Sequence, residues 1–386
     1  MKYKNIPKLR FKDFDDEWEK KKLGDTAQMY QPKTITQSDL TESGVPVFGA
    51  NGYIGYYLEP NHIEDQVTIS ARGENTGTPS FVKGPVYITG NSMVVNVDVD
   101  EIDKYFLYSS LLSRSLKKYV TGGAQPQLTR DVLNIIQKYF PSLPEQSAIG
   151  SLFQTLDELL SAYKDNLANY QAFKASMLSK MFPKAGQTTP EIRLEGFDGE
   201  WKEKKLREGL SKIGDGIHGT PKYNDAGEYA FINGNNLVQD SIQLNTETKY
   251  VNLNQLTPHD LALEKNTILM SINGTIGSLG WYRNEKVMLS KSVAYLQVDS
   301  FDKNFIYYLL QTAQIRKYFF NNLTGTTIKN LGLKAIRNLK IHYPILSEQR
   351  AIGSFFSDLD TLISSYQEKI NQLETLKKKL LKDMFI

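Results

Sequence analysis

The sequence predicts an α+β protein: two mixed α/β domains and two long coiled-coil helices, arranged as an internal repeat with pseudo-twofold character. Three observations predict it. The first is that the chain is written twice. Residues 7–23 (PKLRFKDFDDEWEKKKL) and 190–206 (PEIRLEGFDGEWKEKKL) are identical at 9 of 17 positions, including Arg10/Arg193, Phe14/Phe197, Trp18/Trp201 and Leu23/Leu206. Residues 140–182 recur as 343–385 with 18 of 43 identical. The offsets are 183 and 203, so two constant ends enclose middles that differ by 20 residues. A unit this long is a duplicated domain plus helix, because solenoid repeats run to only about 20–50 residues. The second observation is a heptad pattern in each constant end. The third is a set of short β-branched and aromatic runs in each middle.

Taken in order, residues 1–142 form the first domain. Its strand candidates are Val45–Phe48, Val67–Ser70, Val86–Thr89 and Met93–Val97, punctuated by Gly, Asn and Pro. One helical run, Lys104–Tyr119, follows them. Residues 143–182 form the first long helix. Its apolar seam is Ile149, Phe153, Leu156, Leu160, Tyr163, Leu167, Tyr170, Met177 and Met181, with spacings alternating four and three. Lys174 interrupts it. Pro144 suits the first turn, and Glu145 suits the positive helix end. Pro183 stops the helix, and residues 183–189 are a linker. Residues 190–345 form the second domain, with strand candidates Tyr229–Asn233, Thr267–Ile272 and Val293–Val298 and a helical run Lys303–Phe320. Residues 346–386 form the second long helix, with Ser347 expected as its N-cap. Its seam is Ile352, Phe356, Leu359, Ile363, Tyr366, Ile370, Leu373, Leu380 and Met384, and Lys377 interrupts it at the matching place. A helix of about 37 residues is roughly 55 Å long, too long to hide its seam within one small domain. It needs a partner, and the chain supplies one of the same length and register.

Composition narrows the function classes. There is no cysteine, which excludes disulfides, thiolate catalysis and Cys-type zinc sites. The lack of cysteine also suits a reducing cytoplasm. The N-terminal MKYKNIPKLRFKDF lacks the apolar core of a secretory leader, and no run is apolar enough to span a membrane. Net charge is +3, so any basic face has to arise from local arrangement.

Catalytic motifs are missing. No P-loop, HExxH or G-x-S-x-G occurs, and the four histidines lack metal-ligand spacing. The methyltransferase motif Asn/Asp-Pro-Pro-Tyr/Phe is absent too. The Gly-rich stretch Ile272–Gly277 reads as a strand turn. We expect no catalytic residue and no metal site in this chain.

Two variable domains, each followed by a long helix opening Pro-x-Leu-x-Glu-Gln-x-x-Ile, resemble the specificity subunit of type I restriction–modification systems. The motif stands as Pro141, Leu143, Glu145, Gln146 and Ile149, and again as Pro344, Leu346, Glu348, Gln349 and Ile352. GIHGTPKY (216–223) and TGGAQPQLT (121–129) also resemble loops of that family. The resemblance implies that each domain is a target-recognition domain reading one half of a split double-stranded DNA site. It implies that the two helices lie antiparallel and fix the unread spacer. It implies two modification subunits, which carry S-adenosylmethionine, and restriction subunits, which use ATP and Mg. This chain itself would bind no cofactor and catalyse nothing.

On that reading, loop residues able to face DNA are the candidates. In the first domain they are Lys33, Arg72, Asn91, Gln125, Gln127 and Arg130, in Gly/Pro-rich loops. Arg reads guanine bidentately, while Asn and Gln read adenine. Arg72, between a strand and Gly73, is the strongest. In the second domain they are His218, Thr220, Lys222, Tyr223, Lys291, Thr326, Thr327 and Lys329. Lys222 and Lys329 equally suit phosphates, which position without specifying. Trp18 and Trp201 are expected to be packing residues, because a repeated residue serves the shared frame. The rival reading is a non-catalytic coiled-coil scaffold with two protein- or ligand-binding domains. A salt-dependent gel shift separates the two.

Overall fold

The computed structural model describes residues 5–265, 267–327 and 329–386. The first four residues, where the absence of a leader was expected, lie outside them. Two compact units are present: Met1–Asn166 with Tyr366–Ile386, and Leu167–Ser365. The long helices Leu143–Lys180 and Leu346–Asp383 each contribute to both.

The first unit holds a four-stranded antiparallel sheet in the order Gln28–Tyr30, Ser92–Asn96, Gln66–Ser70, Pro79–Val82. Beside it is a three-stranded sheet, Gly52–Tyr57, Val45–Gly49, Tyr87–Ile88, whose last pair is parallel. The second unit repeats this plan. Its four-stranded sheet runs Leu210–Asp215, Val293–Val298, Ile268–Ser271, Leu279–Trp281. Its three-stranded sheet runs Lys249–Val251, Tyr229–Ile232, Val287–Leu289, again with a parallel last pair. The middles therefore share a topology that their sequences hide. Gln66–Ser70 and Val293–Val298 are buried along their whole length, and in the latter Ala294, Leu296 and Val298 pack into one core while Val293 and Tyr295 pack into another. In both units the lead-in strand closes on the strand before the long helix: Glu19–Lys22 on Gln137–Phe140, and Lys202–Lys205 on Lys340–Tyr343.

Some expectations need correction. The run Lys104–Tyr119 is a helix, Lys104–Ser113, followed by a 3-10 turn, Leu116–Tyr119. The run Lys303–Phe320 breaks into Lys303–Leu309 and Ala313–Asn321. Of the fourteen strands in the four- and three-stranded sheets seven went unread, among them Gln28–Tyr30, Gly52–Tyr57 and Leu210–Asp215, because short strands lack a strong alternating pattern. Ser347 is the second residue of its helix rather than the cap.

The repeated motif is explained residue by residue. Glu145, fully buried, accepts from Arg10 Nε and Nη2 at 2.7 Å each, and Glu348 accepts from Arg193 at 2.8 Å each. Both arginines come from the lead-in segment. Gln146 Oε1 accepts from the amide of Asp103, and Gln349 Oε1 from that of Asp302. These aspartates cap the domain helices Lys104–Ser113 and Lys303–Leu309. Gly150 and Gly353 let those caps approach, since a Cβ would meet Asp103 Oδ1 at 2.2 Å and Asp302 Oδ1 at 2.6 Å. Trp18 lies edge-on to Phe385 and Phe106, and Trp201 lies edge-on to Phe182 and tilted against Phe305. Both tryptophans are packing residues, 2% and 3% exposed.

The helix seams run antiparallel within each unit. In the first, Asp157 pairs with Lys377, Lys164 with Glu374, and the Tyr163 ring meets that of Tyr366 at a tilt. In the second, Lys174 pairs with Asp360, and Phe173 meets Phe355. Ile149, Phe153, Leu156, Leu160, Ile352, Phe356, Leu359 and Ile370 are buried, while Tyr163, Leu167, Ile363 and Tyr366 are half-buried. The lysines that interrupt the heptads are thus seam ion pairs. The same aspartates accept from Tyr105 and Tyr308 of the domain helices. Burial beside these carboxylates pushes both phenols well above the ordinary tyrosine range. A polar pair in an apolar seam fixes register, because any slip leaves charges unpaired.

Candidate nucleic-acid interface

In each unit one end of the four-stranded sheet gathers loops. In the first, strand Gln66–Ser70 runs into SARGENTGT (70–78). Gly73 and Gly77 take positive φ, +88° and +85°, so this turn closes without a side-chain clash. The amide of Ala71 donates to Asn91 O (2.9 Å), Leu128 N donates to Ala71 O (3.0 Å), and Arg72 bridges Gln127. Gln31 Nε2 donates to Gly90 O and Tyr87 OH to Lys33 O, which lays the Lys33 segment over the Gly90–Asn91 turn. Thr76 Oγ1 donates to Pro126 O, joining the loop that carries Gln125. Lys33, Arg72, Asn91, Gln125 and Gln127 are therefore brought together, all exposed. Arg130 is also exposed, but it opens the helix Arg130–Asn134 rather than lying in a loop, and its ion-pair neighbour is Asp131.

In the second unit the turn Ser290–Ser292 is the hub. Lys291 N donates to Ile217 O and Ile272 N to Ser292 O, both at 2.9 Å. Asn273 bridges Asn330. The loop with His218, Lys291, and the turn with Thr326, Thr327 and Lys329 thus meet beside strand Ile268–Ser271. His218 Nε2 lies 2.9 Å from Asp215, a pair that is ionic only when the imidazole is protonated. Thr220, Lys222 and Tyr223 are exposed but tethered elsewhere. Lys222 N donates to Gln255 Oε1, and the Tyr223 ring packs at a tilt against Phe231 of the three-stranded sheet.

Sequence reasoning missed Asn273 and Asn330, and it missed two cations. Arg316 and Lys317 line a cavity of about 450 Å³ with Gly277 and Phe320, and neither forms an ion pair among the described residues. Aligning SARGENTGT with SINGTIGS (271–278) by their serines and glycines would have found the asparagine. The surface offers amides, hydroxyls and cations, which suits hydrogen bonding to base edges and phosphates. Among the described residues no cluster of three or more His, Cys, Asp or Glu could hold a metal ion, and no helix is long and apolar enough to cross a membrane.

Residues 15–170 and 198–375 each match the model of the type I restriction modification DNA specificity domain. The chain belongs to that family. It is 23% identical over 335 residues to the type I restriction enzyme MjaVIII specificity subunit of Methanocaldococcus jannaschii, covering 82% of this chain and 77% of that one. It is 28% identical over 159 residues to the EcoprrI specificity subunit of Escherichia coli, covering 40% and 39%. The crystal structure of the S subunit from M. genitalium superposes with a TM-score of 0.72 at 17% identity, covering 99% of both chains, so the fold is that of an S subunit. The two specificity domains end inside the long helices, so the family unit is a domain plus its helix.

Proposed function

We propose that this chain is the non-catalytic DNA-reading subunit of a type I restriction–modification enzyme acting in the cytoplasm. Each recognition domain reads one half of a bipartite double-stranded site through the loops at the end of its four-stranded sheet. The seam of the long helices holds register and so sets the unread spacer. The observation that carries this reading is one loop frame built twice with different side chains. A shared function needs the frame, and two half-sites need the difference.

The repeated frame also presents two like surfaces, which suits two copies of one modification subunit. Those subunits would carry S-adenosylmethionine, and the restriction subunits that join them would use ATP and Mg. Exposed lysines and arginines around the loops would neutralise phosphates and make binding salt-dependent. The test is to exchange residues 25–140 for the matching segment of another specificity subunit. Methylome sequencing of cells expressing the chimera with modification subunits should show one new half-site and an unchanged partner half. Two changed halves would defeat the modular reading, and so would salt-independent or non-specific binding.

A further inference from the structure

We propose that Arg72 and Asn273 occupy one and the same reading position in the two domains, and that they select guanine in one half-site and adenine in the other. This rests on the DNA-reading function proposed above and goes further, because it assigns the base class to a residue outside the recognisable repeat.

The equivalence is set by backbone hydrogen bonds. The amide of Gly77 donates to Ser70 O at 2.8 Å, and that of Gly277 to Ser271 O at 2.8 Å. Ser70 N donates to Thr78 O (2.9 Å), and Ser271 N to Ser278 O (2.8 Å). Ala71 N reaches Asn91 O as Ile272 N reaches Ser292 O, both at 2.9 Å. Leu128 N reaches Ala71 O (3.0 Å) as Leu331 N reaches Ile272 O (2.9 Å). The next residue in each case bridges the opposing loop, Arg72 with Gln127 and Asn273 with Asn330. Glycines with positive φ follow both, Gly73 at +88° and Gly274 at +71°. Even the serine hydroxyls agree, since Ser70 Oγ donates to Arg72 O and Ser271 Oγ to Asn273 O. One residue is deleted between the paired glycines, so the identities Ser70/Ser271 and Gly73/Gly274 share an offset of 201 that Gly77/Gly277, offset by 200, does not.

Across the bridge the chemistry is constant, because Gln127 and Asn330 both carry a carboxamide. At the strand end it changes from a guanidinium to a carboxamide. Among the described residues neither Arg72 nor Asn273 has a side-chain hydrogen bond or ion pair, so both are free to meet a ligand. A guanidinium fork matches the two acceptors of guanine, O6 and N7. A carboxamide matches the acceptor N7 and donor N6 of adenine. Arg72 is exposed and Asn273 half-buried, in keeping with a long side chain in one loop and a short one in the other.

The experiment is the reciprocal exchange, Arg72→Asn and Asn273→Arg, each in the full chain with its modification subunits and read by methylome sequencing beside the parent. The expected result is a change at one base pair of the first half-site for Arg72→Asn. For Asn273→Arg it is one base pair of the second half-site, where guanine becomes preferred. Discrimination at that pair should fall about 5- to 150-fold. Arg72→Lys serves as a second variant: it keeps the charge and lacks the fork, so it should lose guanine selection while still methylating. A parent with a defined bipartite site whose variants keep both half-sites, or lose methylation evenly at all sites, overturns this assignment and leaves the DNA-reading function standing. A parent without any sequence-specific methylation overturns both.

Discussion

Replacing Arg193 with Met strips a buried carboxylate, Glu348, of its only ion-pair partner among the described residues. Glu348 is fully buried, and its two oxygens accept from Arg193 Nε and Nη2 at 2.8 Å each. Breaking a buried pair from one side costs about 3–5 kcal/mol, because an uncompensated charge remains. The loss should therefore be about 3–5 kcal/mol. Urea unfolding followed by tryptophan fluorescence reads this, since Trp201 sits in the same core. Adding Glu348→Leu removes the stranded charge and should restore more than half the loss. Arg10→Met repeats the experiment on Glu145 in the other unit. A loss under about 1 kcal/mol would refute the argument.

Two further predictions concern the same frame. Lys138 Nζ donates to Ser110 O, and burial pushes its amine down to about 8, while Ile341 fills the matching place in the other copy. Its folded value lies below the ordinary 10.5, so its cost is complete below pH 8 and is relieved as pH rises from about 8 to 10.5. Lys138→Ile should therefore stabilise by about 1–3 kcal/mol at pH 7, with the gain fading towards pH 10 in thermal unfolding; a destabilised variant at pH 7 would contradict this. Gly353→Ala should cost about 1–3 kcal/mol, because its Cβ would press on Asp302 Oδ1 and the Phe305 amide, and denaturant midpoints equal to the parent would show that the cap can retreat.

By itself the sequence determined the duplication, the two long helices, their seams and the absence of catalytic motifs. Each is written in local order or in spacing. A 4-3 repeat from Ile149 to Met181 needs no knowledge of anything distant, and Pro183 ends the helix wherever it lies. The motif residues Glu145 and Gln146 were visible as a repeat, but not their work. Glu145 looked like a carboxylate at a helix start and is the partner of Arg10, 135 residues away. Lys174 and Lys377 looked like defects in the heptads and are seam ion pairs with Asp360 and Asp157. The proposed reading surface was the least legible part. Arg72 stood out because arginine beside glycine is conspicuous, whereas Asn273 in a short Gly-rich turn was not. A shared serine and two shared glycines pair the loops in the sequence, but only the tertiary structure establishes that Arg72 and Asn273 are equivalent, because backbone hydrogen bonds between strands define a loop's place.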